Sequence, residues 1–270
     1  DGSDIQFVEI DGLRDMTAIQ SGDVPLPRRD GAAAGVNTLG ERILVLTFAV
    51  FSPVVPFETI LEQLATAFQP ISNPSALQVL QIMLPGWDSP RQVTGRPTKG
   101  AIPIDLDFQY NVANAIAVEF TCPDPLVYDS VLQSASAGLP SPTAGMTFNA
   151  TPNFVFGAST GGSFQLTNAG NYAAPFTVTI TGPCTNPMLR IGSLFLGFTV
   201  TLGATDVLVI DTGAMSATLN GTADRTGTIV TGSTWLTLAP GVNTVGLQSA
   251  DSAAVAAEFT GAFRNAWGFM

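Results

Sequence analysis

The stretch "DVLVIDTGAMSATLNG" (residues 206–221) holds two short alternating runs, Val207-Leu208-Val209-Ile210 and Ser216-Ala217-Thr218-Leu219. Small residues separate the runs, and Asn220-Gly221 closes the second. Alternation places Leu208 and Ile210 on one face of a strand, and Val207, Val209 and Asp211 on the other. Asn-Gly accepts the positive φ that a tight hairpin turn requires. The stretch therefore predicts an antiparallel hairpin. Asp206 and Asp211 stand at strand ends and face opposite ways, so they are turn residues and not a catalytic pair.

Runs of the same kind recur outward from this hairpin. "RILVLTFAVF" (42–51), "ALQVLQIML" (76–84), "AIAVEFT" (115–121), "FTVTITG" (176–182), "LFLGFTVTL" (194–202), "TGTIVT" (226–231) and "NTVGLQS" (243–249) lie between clusters of Gly, Pro, Asn and Asp. Rich in β-branched and aromatic residues, they predict a mainly β chain. One segment departs from this pattern. In "PFETILEQLATAFQP" (56–70), Phe57, Ile60, Leu61, Leu64, Ala65 and Phe68 keep the spacing of one helical face. Pro56 suits the helix start, Glu58 the positive N-terminal end, and Pro70 the stop. The helix is expected to cover one face of a sheet. "SASAGLPSPTAG" (134–145) has small residues, two prolines and no apolar period, and reads as a linker. The expected division is 1–133, a β-rich domain with the helix, then the linker, then 146–270, an all-β half with the strand pattern of sandwiches or barrels.

Of the 270 residues, 46% are hydrophobic and only 11% charged, where an average domain carries about 25% charged residues. Mean hydropathy is +0.32, yet the longest apolar run, "ILVLTFAVFSPVVPF", is broken by Pro53 and Pro56 well short of the ~20 residues of a membrane helix. A chain so poor in charge is expected to bury surface against permanent partners, because interface cores are depleted in charge. The net charge of −11 argues against binding a phosphate backbone. The opening "DGSDIQFVEI" lacks the basic start and apolar core of a secretion signal. It also lacks a methionine, so residues are expected upstream.

Chemistry-bearing motifs are few. The chain has no histidine, which removes Ser-His-Asp and Cys-His nucleophile systems. "GASTGG" (157–162) lacks the Lys-Ser/Thr ending of a phosphate loop. Cys122 and Cys184 fit no metal or redox spacing and read as small core residues. Asp105 and Asp107 in "IDLDF" would share a strand face as paired carboxylates, or stand as a solvated strand end. Asp11, Asp15, Asp23 and Asp30 with Arg14, Arg28 and Arg29 suggest ion pairing or a subunit contact. Trp87 and Trp235 offer platforms for a carbohydrate, or sheet packing; Trp267 is expected to anchor the chain end. The expectation is no catalytic, cofactor-binding or metal-ligating residue, and no enzyme.

Taken in order, "DGLRDM" (11–16), "RDGAAAGVNTLGERILVLTFAVF" (29–51), the helix and "VEFTCPDPLVYDS" (118–130) resemble the distal tail protein family of long-tailed bacteriophages. So do "TNPMLRIGS" (185–193), "DVLVIDT", "ATLNG", "TWLTLAPGVNTV" (234–245) and "FRNAW" (263–267). The resemblance implies an N-terminal belt domain that assembles as a ring, usually of six, and a C-terminal galectin-like β-sandwich. It implies a structural virion protein at the distal end of the tail, assembled in the host cytoplasm. The implied partners are its own copies, the tail tube protein, the tail-tip hub and fibre proteins and the tape measure protein. The other reading is a carbohydrate-binding sandwich module. Galectin-like refers to fold alone, since galectins use a histidine that this chain lacks. The ring interface is expected among "RILVLTFAVF", "LQVLQIMLPG" (77–86) and the Arg/Asp-rich N-terminal loop.

Overall fold

The computed structural model describes residues 5–51, 56–70, 73, 76–139, 162–251 and 256–269. It is mainly β with one α-helix. The chain divides into two compact units: Asp1–Tyr128 with Trp267–Met270, and Asp129–Ala266.

In the first unit, strand Arg42–Phe51 lies between strands Ile5–Asp11 and Val112–Cys122, both antiparallel to it. Strand Arg91–Ala101 follows on the far side of Val112–Cys122 and also pairs with Gln78–Ile82. One sheet face is buried. Leu44 faces Phe120, Leu46 faces Val118 and Phe48 faces Ile116, and then a bulge carries Val50 to Ala113. Ala115 takes up the extra residue at φ 57°. Helix Phe57–Ala67 covers this face as expected, burying Phe57, Ile60, Leu61 and Leu64 against Val50, Ala113 and Ile116. Each such side chain contributes about 1.5–3 kcal/mol when fully buried. Ala65, expected on the same stripe, is exposed.

The same face continues into a second cluster of Leu13, Leu44, Val93, Phe120, Cys122 and Val127. Its rim is closed by the C-terminal residues, expected to lie with the sandwich but found here. The Arg91 guanidinium stacks between the rings of Trp87 and Trp267, 4.3 Å and 3.8 Å from their centroids. Trp267 thus anchors the chain end. Arg42, 1% exposed, donates to the carbonyls of Pro125 (2.7 Å), Gly12 (2.8 Å), Leu13 (3.0 Å), Asp15 (3.1 Å) and Gly268.

The second unit is a two-sheet sandwich. Six strands run in the order Gln133–Gly138, Glu258–Phe263, Phe176–Thr181, Val207–Asp211, Ser216–Leu219, Ala223–Asp224. Four run Ser163–Asn168, Gly241–Gln248, Met188–Ile191, Leu194–Gly197. The opening hairpin is present, with Leu208 and Ile210 buried and Asn220 and Gly221 at φ 51° and 72°. The sheets meet where Phe164 packs on Phe259, with centroids 4.8 Å apart. Gly261 makes room for that ring: a Cβ there would lie 2.6 Å from Phe164 and 3.2 Å from Leu166.

Three expectations are corrected here. Residues 134–138, expected in the linker, are strand and pair with Glu258–Phe263; their small side chains simply carry no apolar period. Residues 140–145 of that stretch lie outside the described residues. "TGTIVT" is not a strand: Asp224 accepts the Thr226 N–H at 2.8 Å and turns the chain into a 3-10 segment, Thr226–Thr228. "LFLGFTVTL" is interrupted at 198–200, where Phe198 and Thr199 donate to Pro187 and Thr228.

Three outcomes follow from this packing. Arg42→Met leaves five carbonyls without their donor, so the first unit is expected to lose about 3–5 kcal/mol. Urea unfolding followed by tryptophan fluorescence reads this, because Trp87 and Trp267 report that unit. Gly261→Ala is expected to destabilise the second unit by about 1–3 kcal/mol through overpacking, measured by hydrogen exchange on strand Phe176–Thr181. Burial pushes the Cys122 thiol up to about 12 and raises that of Cys184. Both should therefore stay protonated and unreactive to a thiol reagent at pH 8 until the chain is unfolded.

Candidate interaction surface

Asp105 and Asp107 do not share a strand face. Strand Arg91–Ala101 has ended before them, and a 3-10 turn, Asp107–Tyr110, begins. Asp105 Oδ1 accepts the N–H groups of Asp107 (3.0 Å) and Phe108 (3.3 Å), which makes it the cap of that turn. Asp107 Oδ2 accepts from Asn114 at 3.4 Å. Both acids are exposed, so the solvated reading holds without the strand.

Asp206 and Asp211 are turn residues. Asp206 accepts from the Gly203 N–H and Asn220 Nδ2, both at 2.8 Å. The Asn220 amide, and then the Gly203 N–H, hold its carboxyl below the usual carboxylate range. Asp211 accepts from Gly213 and Ala214. Trp87 is committed to the stack on Arg91, and Trp235 is half-buried. Residues 157–161 of "GASTGG" lie outside the described residues. Cys122 and Cys184 are buried and free. Among the described residues no group of three or more acidic or cysteine side chains is placed to hold a metal ion.

Exposed apolar surface is the stronger feature. Among the described residues, sixteen of the twenty-two exposed large apolar side chains lie in the first unit. Strand Ile5–Asp11 is the edge of its sheet, with Phe7 and Val8 both more than half exposed. The back of the sheet exposes Ile43 and Phe51, and strand Gln78–Ile82 exposes Val79. The segments expected at an interface therefore do carry unpartnered apolar side chains.

The N-terminal loop is a ribbon, which the sequence did not disclose. Ile19–Gln20 pairs with Thr38–Leu39, and Val24–Pro25 with Ala32–Ala33. Each pair is only two residues long, too short for alternation to register. Gly22 and Gly35 cross so closely that a Cβ on Gly35 would lie 2.0 Å from the Gly22 carbonyl oxygen. Asp23 fixes the crossing by accepting the Gly35 N–H at 2.7 Å, which with Ser21 holds its carboxyl below the usual range. Every residue from 18 to 38 is exposed. Among the described residues no ion pair joins its acids to Arg14, Arg28 or Arg29.

A cleft of about 270 Å³ runs between the helix and residues 97–102, floored by Ile116 and Val118. A second, of about 280 Å³, shares Ala65 and Ile102 with it and is lined by Glu58, Glu62, Ile104 and Phe108. Ile104 is 80% exposed beside it. The exposure of Ala65 on an otherwise buried stripe was the available signal for this cleft.

Comparison with known proteins places this architecture. Residues 169–263 match the SPP1 Dit family model, described as the C-terminal domain of a siphovirus-type tail component. The crystal structure of the SPP1 Dit (gp 19.1) protein is described as a paradigm of the hub adsorption apparatus in phages infecting Gram-positive bacteria. It is similar at a TM-score of 0.64 and 16% identity, over 97% of this chain and 93% of that one. Chains of the phage P2 baseplate in its activated conformation, solved with Ca and with Sr, give TM-scores of 0.50 at 11% identity over 100% of this chain and 93% of theirs. No curated protein matches the sequence. Structural likeness at such identity establishes fold, and the sequence match lies within the sandwich. Residues 169–263 thus resemble the C-terminal domain of a siphovirus-type tail component, and the chain has the fold of the SPP1 Dit protein.

Proposed function

We propose that this protein is a structural, non-enzymatic component of a phage tail: copies form a ring at the distal end of the tail tube and join it to the tail-tip hub and fibres. The observation that carries this reading is a likeness running over 97% of the chain to SPP1 Dit, joined to a sequence match in the sandwich. The first unit is the ring-forming belt, supported by the concentration of exposed apolar side chains there. The second is a galectin-like sandwich carried on the ring. Turn and cap roles for Asp105, Asp107, Asp206 and Asp211 fit a protein whose acids shape loops. The ring of six, the tube, hub, fibre and tape measure partners, and the place at the distal end of the virion's tail all rest on the resemblance.

Native mass spectrometry of the full chain over a range of concentrations, with negative-stain imaging of the same sample, tests the ring. A closed oligomer, six being the expected number, supports the proposal. A chain that stays monomeric up to its solubility limit, with and without tail tube protein, overturns it.

A further inference from the structure

The exposed ribbon and the helix-side cleft are complementary in charge. The tip of the ribbon, "PLPRRDG" (25–31), carries Arg28 and Arg29 beside Leu26, all three exposed, with Arg28 at φ 60°. Neither arginine has a hydrogen-bonding or ion-pairing partner among the described residues, and Asp30 offsets only one of the two charges. The cleft is apolar at its base and acidic at its rim: Glu58 and Glu62 line it, and Asp105 and Asp107 stand on the turn that closes it. A two-stranded ribbon exposed on both sides is marginally stable on its own. From residue 19 to its tip the ribbon spans about 30 Å at the usual rise per residue, with every residue from 18 to 38 exposed.

We infer that the ribbon tip of one copy docks in the helix-side cleft of a second copy, Leu26 entering between the helix and Ile104 while Arg28 and Arg29 meet Glu58 and Glu62. The contact is heterologous, tip to cleft, so each copy uses both surfaces once, and in the proposed ring the series closes by rotation. The apolar base supplies the burial and the charges select the register, since opposite charges at an interface rim steer and align more than they hold. This inference rests on the ring reading and names the contact that builds it.

The test is a charge swap on the full-length chain, read as the concentration at which it self-associates in sedimentation velocity. Arg28→Glu with Arg29→Glu is expected to raise that concentration at least about tenfold through like-charge repulsion. Adding Glu58→Arg and Glu62→Arg to the same chain is expected to restore it to within about threefold, because the pairing is reversed but kept. Ile104→Asp, at an exposed position that does not hold the fold, is expected to weaken association without rescue by the charge swap. Circular dichroism checks that each variant is folded. An arginine variant that assembles like the parent overturns this contact and leaves the ring standing. Failure of the swapped chain to recover, with the fold intact, also overturns it. A parent chain that never assembles overturns the ring and this contact together.

Discussion

A buried guanidinium is the constraint on which the first unit depends. Arg42 begins a strand of the central sheet, and taking its charge out of water costs several kcal/mol. Among the described residues no carboxylate accepts from it. Five carbonyl oxygens do, drawn from residues 12–15, from Pro125 and from Gly268. Burial lowers its hold on the proton; Cys122 and the acids Asp15 and Asp124 act in the opposite direction. Only a guanidinium offers five N–H groups in a planar fork, so the stretches it gathers are ones a lysine could not hold. Its bonds fix where the N-terminal segment leaves the sheet, and therefore where the exposed ribbon starts.

The second unit solves the same problem with neutral groups. Asn168, 1% exposed, donates to the carbonyls of Tyr172 and Leu238 and accepts from the N–H groups of Gly170 and Ala266. Asn265 accepts from Ala169 and donates to Asp129. Both amides use donor and acceptor alike, which is what makes a buried polar group tolerable. Gly170 sits so near Ala266 that a Cβ would lie 1.9 Å from its carbonyl oxygen. The chain's entry at 129 and its exit at 266 are thus tied within one network, and the sandwich closes without burying a charge.

What was legible in the sequence was whatever a period could carry. The 206–221 hairpin and the 57–67 helix repeat apolar residues at the spacing of their own geometry, and both are in place. Ser134–Gly138 escaped because Ser and Ala alternate without an apolar signal, although the backbone pairs fully with Glu258–Phe263. At 226–231 a favourable strand composition lost to a local competitor, the Asp224 carboxylate. Asp105 and Asp107 lie beyond the strand that ends at Ala101, and Pro103 was the mark in the sequence of that end. Arg42 was invisible for a different reason: a cation at the head of an apolar run ordinarily faces water, and only the tertiary return of Gly268 and Pro125 makes it a core residue.

The division of exposed apolar surface between the units follows from what each must avoid. An edge strand and an open ribbon offer backbone groups and apolar side chains to any similar chain, the usual route to open-ended association. In the first unit these features are left uncovered, with Phe7 and Val8 on the edge and residues 18–38 in the ribbon. Net charge spread thinly over 270 residues, only 11% of them charged, gives little repulsion to prevent pairing. In the proposed ring each donor surface meets one acceptor surface and the series closes on itself. The sandwich exposes fewer large apolar side chains, because most of them face inward between two sheets. The units thus differ in how much apolar surface each leaves exposed.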